Sequence, residues 1–152
     1  MKLAKILSEK NIKGVISISA DATLRDVAMK LYEHNIDALL VTEPGSDNKF
    51  VGIISGRDII RSCCHFEKPA VELKVADTMT KNMIVATADD NVEYVTGVMA
   101  KHKISHIPVF IGDKIVGLIS MGDIIREMHN EDVIKIRRLS DFSGGTYGSK
   151  VY

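Results

Sequence analysis

Hydrophobic and polar residues follow helical and strand-like patterns along the chain, in an order that occurs twice. In the first half an amphipathic helix is predicted up to about Asn35, with apolar residues at positions i, i+3, i+4 and i+7. These residues are Leu24, Val27, Ala28 and Leu31, and the matching residues of the second half are Val92, Val95, Thr96 and Met99. Thr23 and Asp26 form a candidate capping box at the start of the first of these helices.

Short apolar runs rich in β-branched residues predict the strands of both halves. The predicted strands are Val15–Ile18, Ile36–Thr42 and Phe50–Ile54, then Met83–Ala86, His106–Ile111 and the run that begins at Val116. A short helix is predicted before each set, over Leu3–Asn11 and Val75–Met79. Polar turns lie at Pro44–Asn48 and Gly112–Asp113.

One stretch is repeated almost residue for residue. Val51–Arg61 and Val116–Arg126 share eight of their eleven positions, including Val-Gly, a Ser, and Asp-Ile-Ile-Arg. In each copy an apolar run ends at the Ser and a helix-compatible run begins near the Asp, which indicates a strand that turns into a helix. A helix covering Asp58 to about His65 follows in the first copy. The repeat predicts two copies of one architecture.

Each copy therefore has the order strand, helix, strand, strand, helix. The helical crossover favours a parallel pair and the short turn an antiparallel hairpin. Two such sheets would bury their apolar faces against each other, which predicts an α+β unit of two pseudo-twofold-related β-α-β-β-α repeats packed sheet to sheet. The predicted boundaries are 1–66 for repeat 1, 67–130 for repeat 2, and 131–152 for the C-terminal part. That part comprises a helix extension over Glu131–Phe142 and a flexible tail over Ser143–Ser149.

Composition narrows the class of protein. The chain has 152 residues, 45% of them hydrophobic, with 20 Lys+Arg against 20 Asp+Glu. Zero net charge argues against a nucleic-acid binder, and no apolar run reaches the ~20 residues of a membrane span. No signal peptide is predicted, because the first residues lead into a mixed charged segment and not an apolar one, and the only cysteines of the sequence, Cys63 and Cys64, are adjacent. We therefore expect a cytoplasmic protein of a reducing compartment.

The repeated Ser-x-x-Asp has two interpretations. Ser55 with Asp58, and Ser120 with Asp123, match a helix cap of the capping-box type. Alternatively, the backbone N–H groups at the helix start face an anion while the carboxylate accepts hydroxyl hydrogen bonds. The two roles are compatible, and the duplication by itself does not decide between them.

With these motifs the chain resembles a tandem pair of CBS domains, also called a Bateman module, and in particular the small bacterial proteins that consist of such a pair. The resemblance covers about residues 2–130. It rests on the two Val-Gly-x-Ile-Ser-x-x-Asp-Ile-Ile-Arg copies, on Val75–Thr80, and on His106–Val109. It implies a regulatory module that binds AMP, ATP or an NAD-type ligand in two clefts between the repeats.

The resemblance also implies the residues of each cleft, with Asp58 and Asp123 holding ribose hydroxyls. Site one would consist of Ser55, Arg57, Asp58, Met79, Ile84, Ile104, Ser105 and His106. Site two would consist of Ser120, Asp123, Leu7, Ile16, Ile36, Asp37 and Ala38. Relatives often carry Arg where this chain has Ser105, so one phosphate donor is missing, and the Asp37 carboxylate disfavours a phosphate in site two.

No catalytic constellation or metal site is predicted. There is no phosphate loop, nucleophile elbow or Cys-x-x-Cys pair, and nothing supplies a nucleophile beside a base. The first hypothesis is a nucleotide-sensing module in signal transduction or energy sensing, with no obligatory cofactor and an unknown regulated protein. The second is a structural or interaction module with empty clefts, and the third a redox protein using Cys63 and Cys64.

A homodimer is expected, because family relatives associate through helices that face away from the sheets. The apolar helix residues predicted for this interface are Leu24, Ala28, Val92, Met99, Ile60 and Ile125.

Overall fold

A computed structural model describes residues 1–10, 14–65 and 67–143 of the chain. Within these residues there are six α-helices and six strands, with one 3-10 turn at Ala70–Glu72. In chain order they are α1 (Leu3–Glu9), β1 (Ser17–Ser19), α2 (Leu24–His34), β2 (Ala38–Thr42), β3 (Phe50–Ser55), α3 (Gly56–His65), α4 (Val75–Thr78), β4 (Ala86–Thr87), α5 (Val92–His102), β5 (His106–Ile111), β6 (Lys114–Ser120) and α6 (Met121–Ser143).

The strands form two three-stranded sheets of identical topology. In the first sheet β2 lies in the middle, parallel to β1 and antiparallel to β3. In the second sheet β5 lies in the middle, parallel to β4 and antiparallel to β6. The predicted α+β class and the predicted pairing of both repeats are confirmed.

The parallel strands are shorter and begin later than predicted. The prediction of Val15–Ile18 is wrong at its start, because β1 pairs with β2 only from Ser17 to Ser19. The prediction of Met83–Ala86 is wrong in the same direction, since β4 pairs with β5 only at Ala86 and Thr87. β2 also begins two residues late, at Ala38. In the first repeat the residues left over, Ile16, Ile36 and Asp37, line a cavity instead of extending the sheet.

Local hydrogen bonds explain where α2 begins, and a residue in the left-handed conformation explains where it ends. Thr23 Oγ1 accepts from the backbone N–H of Asp26 at 3.2 Å, and the Asp26 carboxylate accepts from the backbone N–H of Thr23 at 2.9 Å. This reciprocal pair is the predicted capping box. The helix ends at Asn35, which takes the left-handed conformation (φ 50°) that stops a helix.

The two short helices exchange partners between the repeats. Leu3 and Ile6 of α1 are fully buried in the core of the second sheet, and Val75 of α4 is buried in the core of the first. Backbone hydrogen bonds fix this exchange, from Ala4 to the Ala88 carbonyl and from Val75 to the Ala22 carbonyl, both 2.9 Å. Each core is therefore completed by a segment that the predicted boundary at residues 66 and 67 places in the other repeat.

Three of the six residues predicted for a dimer interface are wrong. Leu24, Val92 and Met99 are buried in the cores, with exposed fractions of 1% or less. These residues recur at helical spacing and form an apolar stripe along α2 and α5. Each stripe packs in the core of its own repeat. Ile60 and Ile125 are exposed, at 69% and 60%, and Ala28 is also exposed.

The last helix, α6, runs without a break from Met121 to Ser143 and includes the predicted helix extension Glu131–Phe142. Ser143 was predicted to begin the flexible tail and instead ends this helix; the rest of that tail, like Asn11 at the predicted end of α1, lies outside the described residues. Within the part of the chain that the structure describes, no helix combines the length and the apolar character needed to cross a bilayer.

Candidate functional site: a cavity between the two sheets

The repeated Ser and Asp form the same hydrogen bonds at the start of α3 and α6. Asp58 Oδ2 accepts from the Ser55 backbone N–H at 2.8 Å and from the Ser55 hydroxyl at 3.0 Å. Asp123 Oδ2 accepts from the Ser120 backbone N–H at 2.9 Å and from the Ser120 hydroxyl at 2.8 Å. Both carboxylates therefore bind the residue that precedes their helix, and at Asp123 the backbone N–H also donates to the Ser120 hydroxyl oxygen at 3.1 Å, which completes the capping box. In each carboxylate the second oxygen, Oδ1, faces an arginine one helical turn later, at 3.6 Å or 3.3 Å.

Asp123 has a further partner, Lys10 at the end of α1. The Lys10 ammonium lies 2.9 Å from Asp123 Oδ2 and also donates to the Leu118 carbonyl oxygen at 2.6 Å. Burial alone would raise the pKa of Asp123. The hydrogen bonds from Ser120 and Lys10, together with the Lys10 charge, outweigh burial and hold that pKa below its usual range. Asp123 is consequently a carboxylate at neutral pH.

These residues border a cavity of about 1010 Å³. Its wall combines apolar side chains from both repeats with carboxylates, hydroxyls and imidazoles. The lining residues are Ala4, Leu7, Ser8, Lys10, Gly14, Ile16, His34, Asn35, Ile36, Asp37, Ala38, Ser105, His106, Ile111, Val116, Gly117, Leu118, Ser120, Met121, Gly122, Asp123 and Arg126. The volume lies at the upper end of the roughly 300–1,000 Å³ typical of ligand sites.

All seven residues predicted for site two line this cavity: Ser120, Asp123, Leu7, Ile16, Ile36, Asp37 and Ala38. Ser105 and His106, predicted for site one, line the same cavity. The reason is the register of the second hairpin, in which His106 lies opposite Ser120. The structure thus brings nine of the predicted residues together around Asp123.

Burial lowers the pKa of His106 below its usual value of 6.5. The negative charges of Asp37 and Asp123 act in the opposite direction, and Lys10 adds to the lowering. The imidazole is therefore neutral at pH 7, when it has one donor and one acceptor nitrogen instead of a positive charge.

Of the other six residues predicted for site one, four lie around the start of α3 and the end of α4, and two pack on the second core. The backbone of Thr80 exchanges two hydrogen bonds with Ile53, at 3.0 Å and 2.9 Å, which places Met79 against Gly52 of β3. Arg57, exposed at the start of α3, donates to the Lys103 carbonyl oxygen of the second repeat at 3.5 Å. Ile84 and Ile104 are partly buried and pack on the second core. The Thr80–Ile53 bridge and the Arg57 contact each join one repeat to the other.

Sequence reasoning missed Lys10, although the repeat contains a signal for it. The two short helices are 72 positions apart, from Leu3 to Val75, whereas the turn residues Asp21 and Asp89 are 68 apart. The segment from Leu3 to Asp21 is therefore four residues longer than the segment from Val75 to Asp89, and α1 is itself three residues longer than α4. Lys10 directly follows this longer helix, so the alignment of the two repeats did not single it out.

One histidine pair has a spacing that is typical of metal sites. His102 and His106 are four positions apart, but His102 ends α5 and His106 begins β5. Lys103 between them takes the left-handed conformation (φ 55°), so the two imidazoles do not share a helix face. Among the described residues, no group of three or more His, Cys, Asp or Glu side chains is arranged to hold a metal ion.

The sequence profile of the CBS domain matches the chain twice, at residues 4–64 and 75–130. The two matches follow the two sheets and include both Ser-Asp motifs. The chain belongs to the CBS-domain family. The resemblance of its motifs to a CBS-domain pair is therefore confirmed.

Relatives of this CBS-domain pair occur in distant organisms. The mitochondrial CBS-domain protein CBSX3 of Arabidopsis thaliana is 30% identical over 131 residues, which are 85% of this chain and 64% of that protein. This chain thus spans somewhat less than two thirds of that relative's length. The protein YlbB of Bacillus subtilis, itself uncharacterised, is 31% identical over 121 residues, 79% of either chain.

Solved structures agree with the fold. The CBS-domain protein ATU1752 of Agrobacterium tumefaciens superposes with a TM-score of 0.78 at 23% identity, covering 84% of this chain and 99% of that one. The CBS-domain pair of protein MJ0100, solved with 5′-methylthioadenosine and S-adenosyl-L-methionine, superposes with a TM-score of 0.72 at 28% identity and covers 86% and 98%.

Proposed function

We propose that this CBS-domain pair is a regulatory module that binds an adenine nucleoside or nucleotide between its repeats and transmits occupancy to a partner protein. The observation that carries the proposal is the cavity in which the Asp123 carboxylate faces the apolar side chains of Ile16 and Ile36. AMP, ATP and NAD are the ligands that the family resemblance suggests, and an adenosine derivative without phosphate suits the same features.

The chemistry of the cavity matches the parts of an adenine nucleoside. Leu7, Ile16 and Ile36 offer apolar surface to the faces of a purine ring. A carboxylate accepts hydrogen bonds from both hydroxyls of a ribose cis-diol, the role proposed for Asp123. The start of α6 at Met121 and Gly122, which also lines the cavity, would lie toward the 5′ end of the ligand.

A relative with known ligands supports the ligand class. The CBS-domain pair of MJ0100, 28% identical to this chain, was solved with two adenosine derivatives that carry sulfur substituents instead of phosphate. The negative charge of Asp37 at the cavity wall favours ligands of that kind over polyphosphates. The proposal therefore includes nucleosides beside AMP, ATP and NAD.

A thermal-shift screen tests the proposal. Adenosine, AMP, ATP, NAD, methylthioadenosine and S-adenosylmethionine are added separately to the full chain, and the unfolding temperature is measured. A ligand present at a hundredfold excess over its Kd stabilises the native state by about 2.7 kcal/mol. We expect at least one of them to raise the unfolding temperature.

Two control ligands identify the groups that are recognised. Guanosine keeps the ribose and changes the base, and 2′,3′-dideoxyadenosine keeps the base and lacks the diol. Both should give a smaller shift than adenosine. If none of the adenine ligands changes the unfolding temperature at millimolar concentration, the proposal of a nucleotide module is wrong and the interaction-module hypothesis is favoured.

A homodimer is the second part of the proposal, and exposed isoleucines on α3 and α6 support it. Ile60 and Ile125 occupy the same position of the two repeats and are 69% and 60% exposed. Met128 continues the apolar surface along α6 at 42% exposure. We propose that these helices pair with a second copy, in an interface that should exceed about 1,000 Å² to be specific.

Charging this surface should dissociate the dimer. We expect light scattering to give the mass of a dimer for the parent at micromolar concentration and that of a monomer for the Ile60→Glu/Ile125→Glu variant, since burying two carboxylates per subunit is costly. Ile111→Glu is the matched control, because Ile111 is also 60% exposed but lies at the end of β5. A monomeric parent would contradict the proposed dimer.

A further inference from the structure

The carboxylates of the two Asp residues in the repeated motif differ in one ion-pair partner, which is Lys10. Asp123 Oδ2 receives the Ser120 backbone N–H, the Ser120 hydroxyl and the Lys10 ammonium, all within 2.9 Å. The described contacts of Asp58 Oδ2 are two, both from Ser55. A carboxylate oxygen has about two lone-pair sites, and Ser120 occupies both on Asp123 Oδ2, as Ser55 does on Asp58 Oδ2. Lys10 is an additional donor on Asp123 Oδ2, so a ribose hydroxyl can bind this oxygen only when Lys10 has left and the Ser120 hydroxyl has turned away.

The Lys10 side chain also makes a contact in the second repeat that a backbone N–H group makes in the first. The Ile53 carbonyl accepts from the backbone N–H of Thr80 at 2.9 Å, and the residue equivalent to Ile53 in the second repeat is Leu118. The Leu118 carbonyl accepts from the Lys10 ammonium at 2.6 Å. A side chain on a flexible stem thus makes, in the second repeat, a contact that fixed backbone makes in the first.

We propose that Lys10 is an internal competitor for the ribose-binding carboxylate of Asp123, and that a nucleoside must displace it to bind both oxygens. The inference rests on the proposed function and concerns the regulation of the same site. Lys10 weakens binding at this cleft and sets the ligand concentration at which it is occupied.

A second, smaller cavity provides the displaced lysine with other carboxylates. It measures about 90 Å³ and shares Lys10 and Asp123 with the large cavity, and Glu9 and Glu127 also line it. The Lys10 side chain is 22% exposed and so retains contact with solvent. A Lys10 ammonium that leaves Asp123 toward Glu9 or Glu127 would keep a carboxylate nearby, although Glu127 also pairs with Lys5 at 2.9 Å.

The test is a calorimetric titration of adenosine into the full-length parent and its variants. Lys10→Met and Lys10→Gln remove the competing charge, and each should tighten adenosine binding at this cleft by about tenfold, equivalent to about 1.4 kcal/mol. Lys10→Arg keeps the charge and should bind adenosine as the parent does.

Lys2→Met is the matched control. Lys2 directly precedes α1 and pairs with Asp89 at 3.2 Å, and it lines neither of the two cavities. It should leave adenosine affinity unchanged. A double-mutant cycle completes the test, since Lys10→Met should give no gain in the Asp123→Asn background if the two side chains act on each other.

Unchanged affinity in Lys10→Met and Lys10→Gln would overturn the inference while leaving the proposed function intact. Weaker binding in both would overturn it as well, because Lys10 would then be a ligand contact. If adenosine and AMP bind neither the parent nor any variant, the proposed function fails, and the inference that rests on it fails with it.

Discussion

Asp58→Asn is expected to weaken adenine-nucleotide binding by about ten- to a hundredfold at the cleft to which Asp58 belongs. The amide keeps the shape of the carboxylate and loses a charge-assisted acceptor, and such hydrogen bonds contribute roughly 1.5–3 kcal/mol. At 1.4 kcal/mol per decade this gives the stated range. Calorimetric titration with AMP, ATP and NAD measures it.

Asp123→Asn should reduce the affinity less than Asp58→Asn does. The same acceptor is lost, but the amide also loses its attraction for Lys10, which lies 2.9 Å away in the parent. Losing the charged acceptor weakens nucleotide binding and releasing Lys10 strengthens it, so the two effects on affinity partly cancel.

Stability measurements separate the cap from the ligand role in both variants. As caps, the two amides keep an acceptor and should cost less than about 1 kcal/mol of unfolding free energy. If both variants bind nucleotides as the parent does, the ribose role is wrong and the two aspartates only cap their helices.

Gly52→Ala is expected to lower the unfolding free energy by about 1–3 kcal/mol, the range of overpacked core positions. A β-carbon at Gly52 would lie 2.8 Å from the Met79 sulfur and 2.8 Å from the backbone oxygen of Thr80. The sulfur can move, but the Thr80 backbone is held to Ile53 by two hydrogen bonds. Chemical denaturation of the variant measures the loss.

Gly117→Ala is the matched control at the equivalent position of the second repeat. Its β-carbon would lie 2.6 Å from Cδ2 of Leu7, the end of a flexible side chain next to the large cavity. Leu7 can turn toward that space, so the loss should be smaller than in Gly52→Ala. Equal losses would show that the Thr80 bridge is not the rigid element we infer.

The repeat made the fold predictable from the sequence. The pairing of all six strands follows from a helical crossover and a hairpin in each copy, and both are observed. The exchange of α1 and α4 between the cores could not be predicted, because Leu3 and Val75 have the same apolar pattern whichever sheet they cover. Periodicity identifies a buried face without identifying its partner.

The same limit explains the errors at the surface and in the site. Leu24, Val92 and Met99 were assigned to a dimer face because an apolar stripe does not reveal which side it contacts. Nine of the residues that line the large cavity were predicted, through the family resemblance. Lys10 was not, because it directly follows α1, which is three residues longer than α4 and so shifts the alignment of the two repeats.

A crystal structure of the protein with adenosine is the most direct test of a ribose-binding carboxylate between the repeats. We expect the purine to lie between the apolar residues of the large cavity and both ribose hydroxyls to lie within about 2.5–3.0 Å of the Asp123 carboxylate. We also expect Lys10 to be displaced from that carboxylate. Adenosine bound elsewhere, or bound there with its ribose turned away from Asp123 while Lys10 keeps its present contact, would contradict the account.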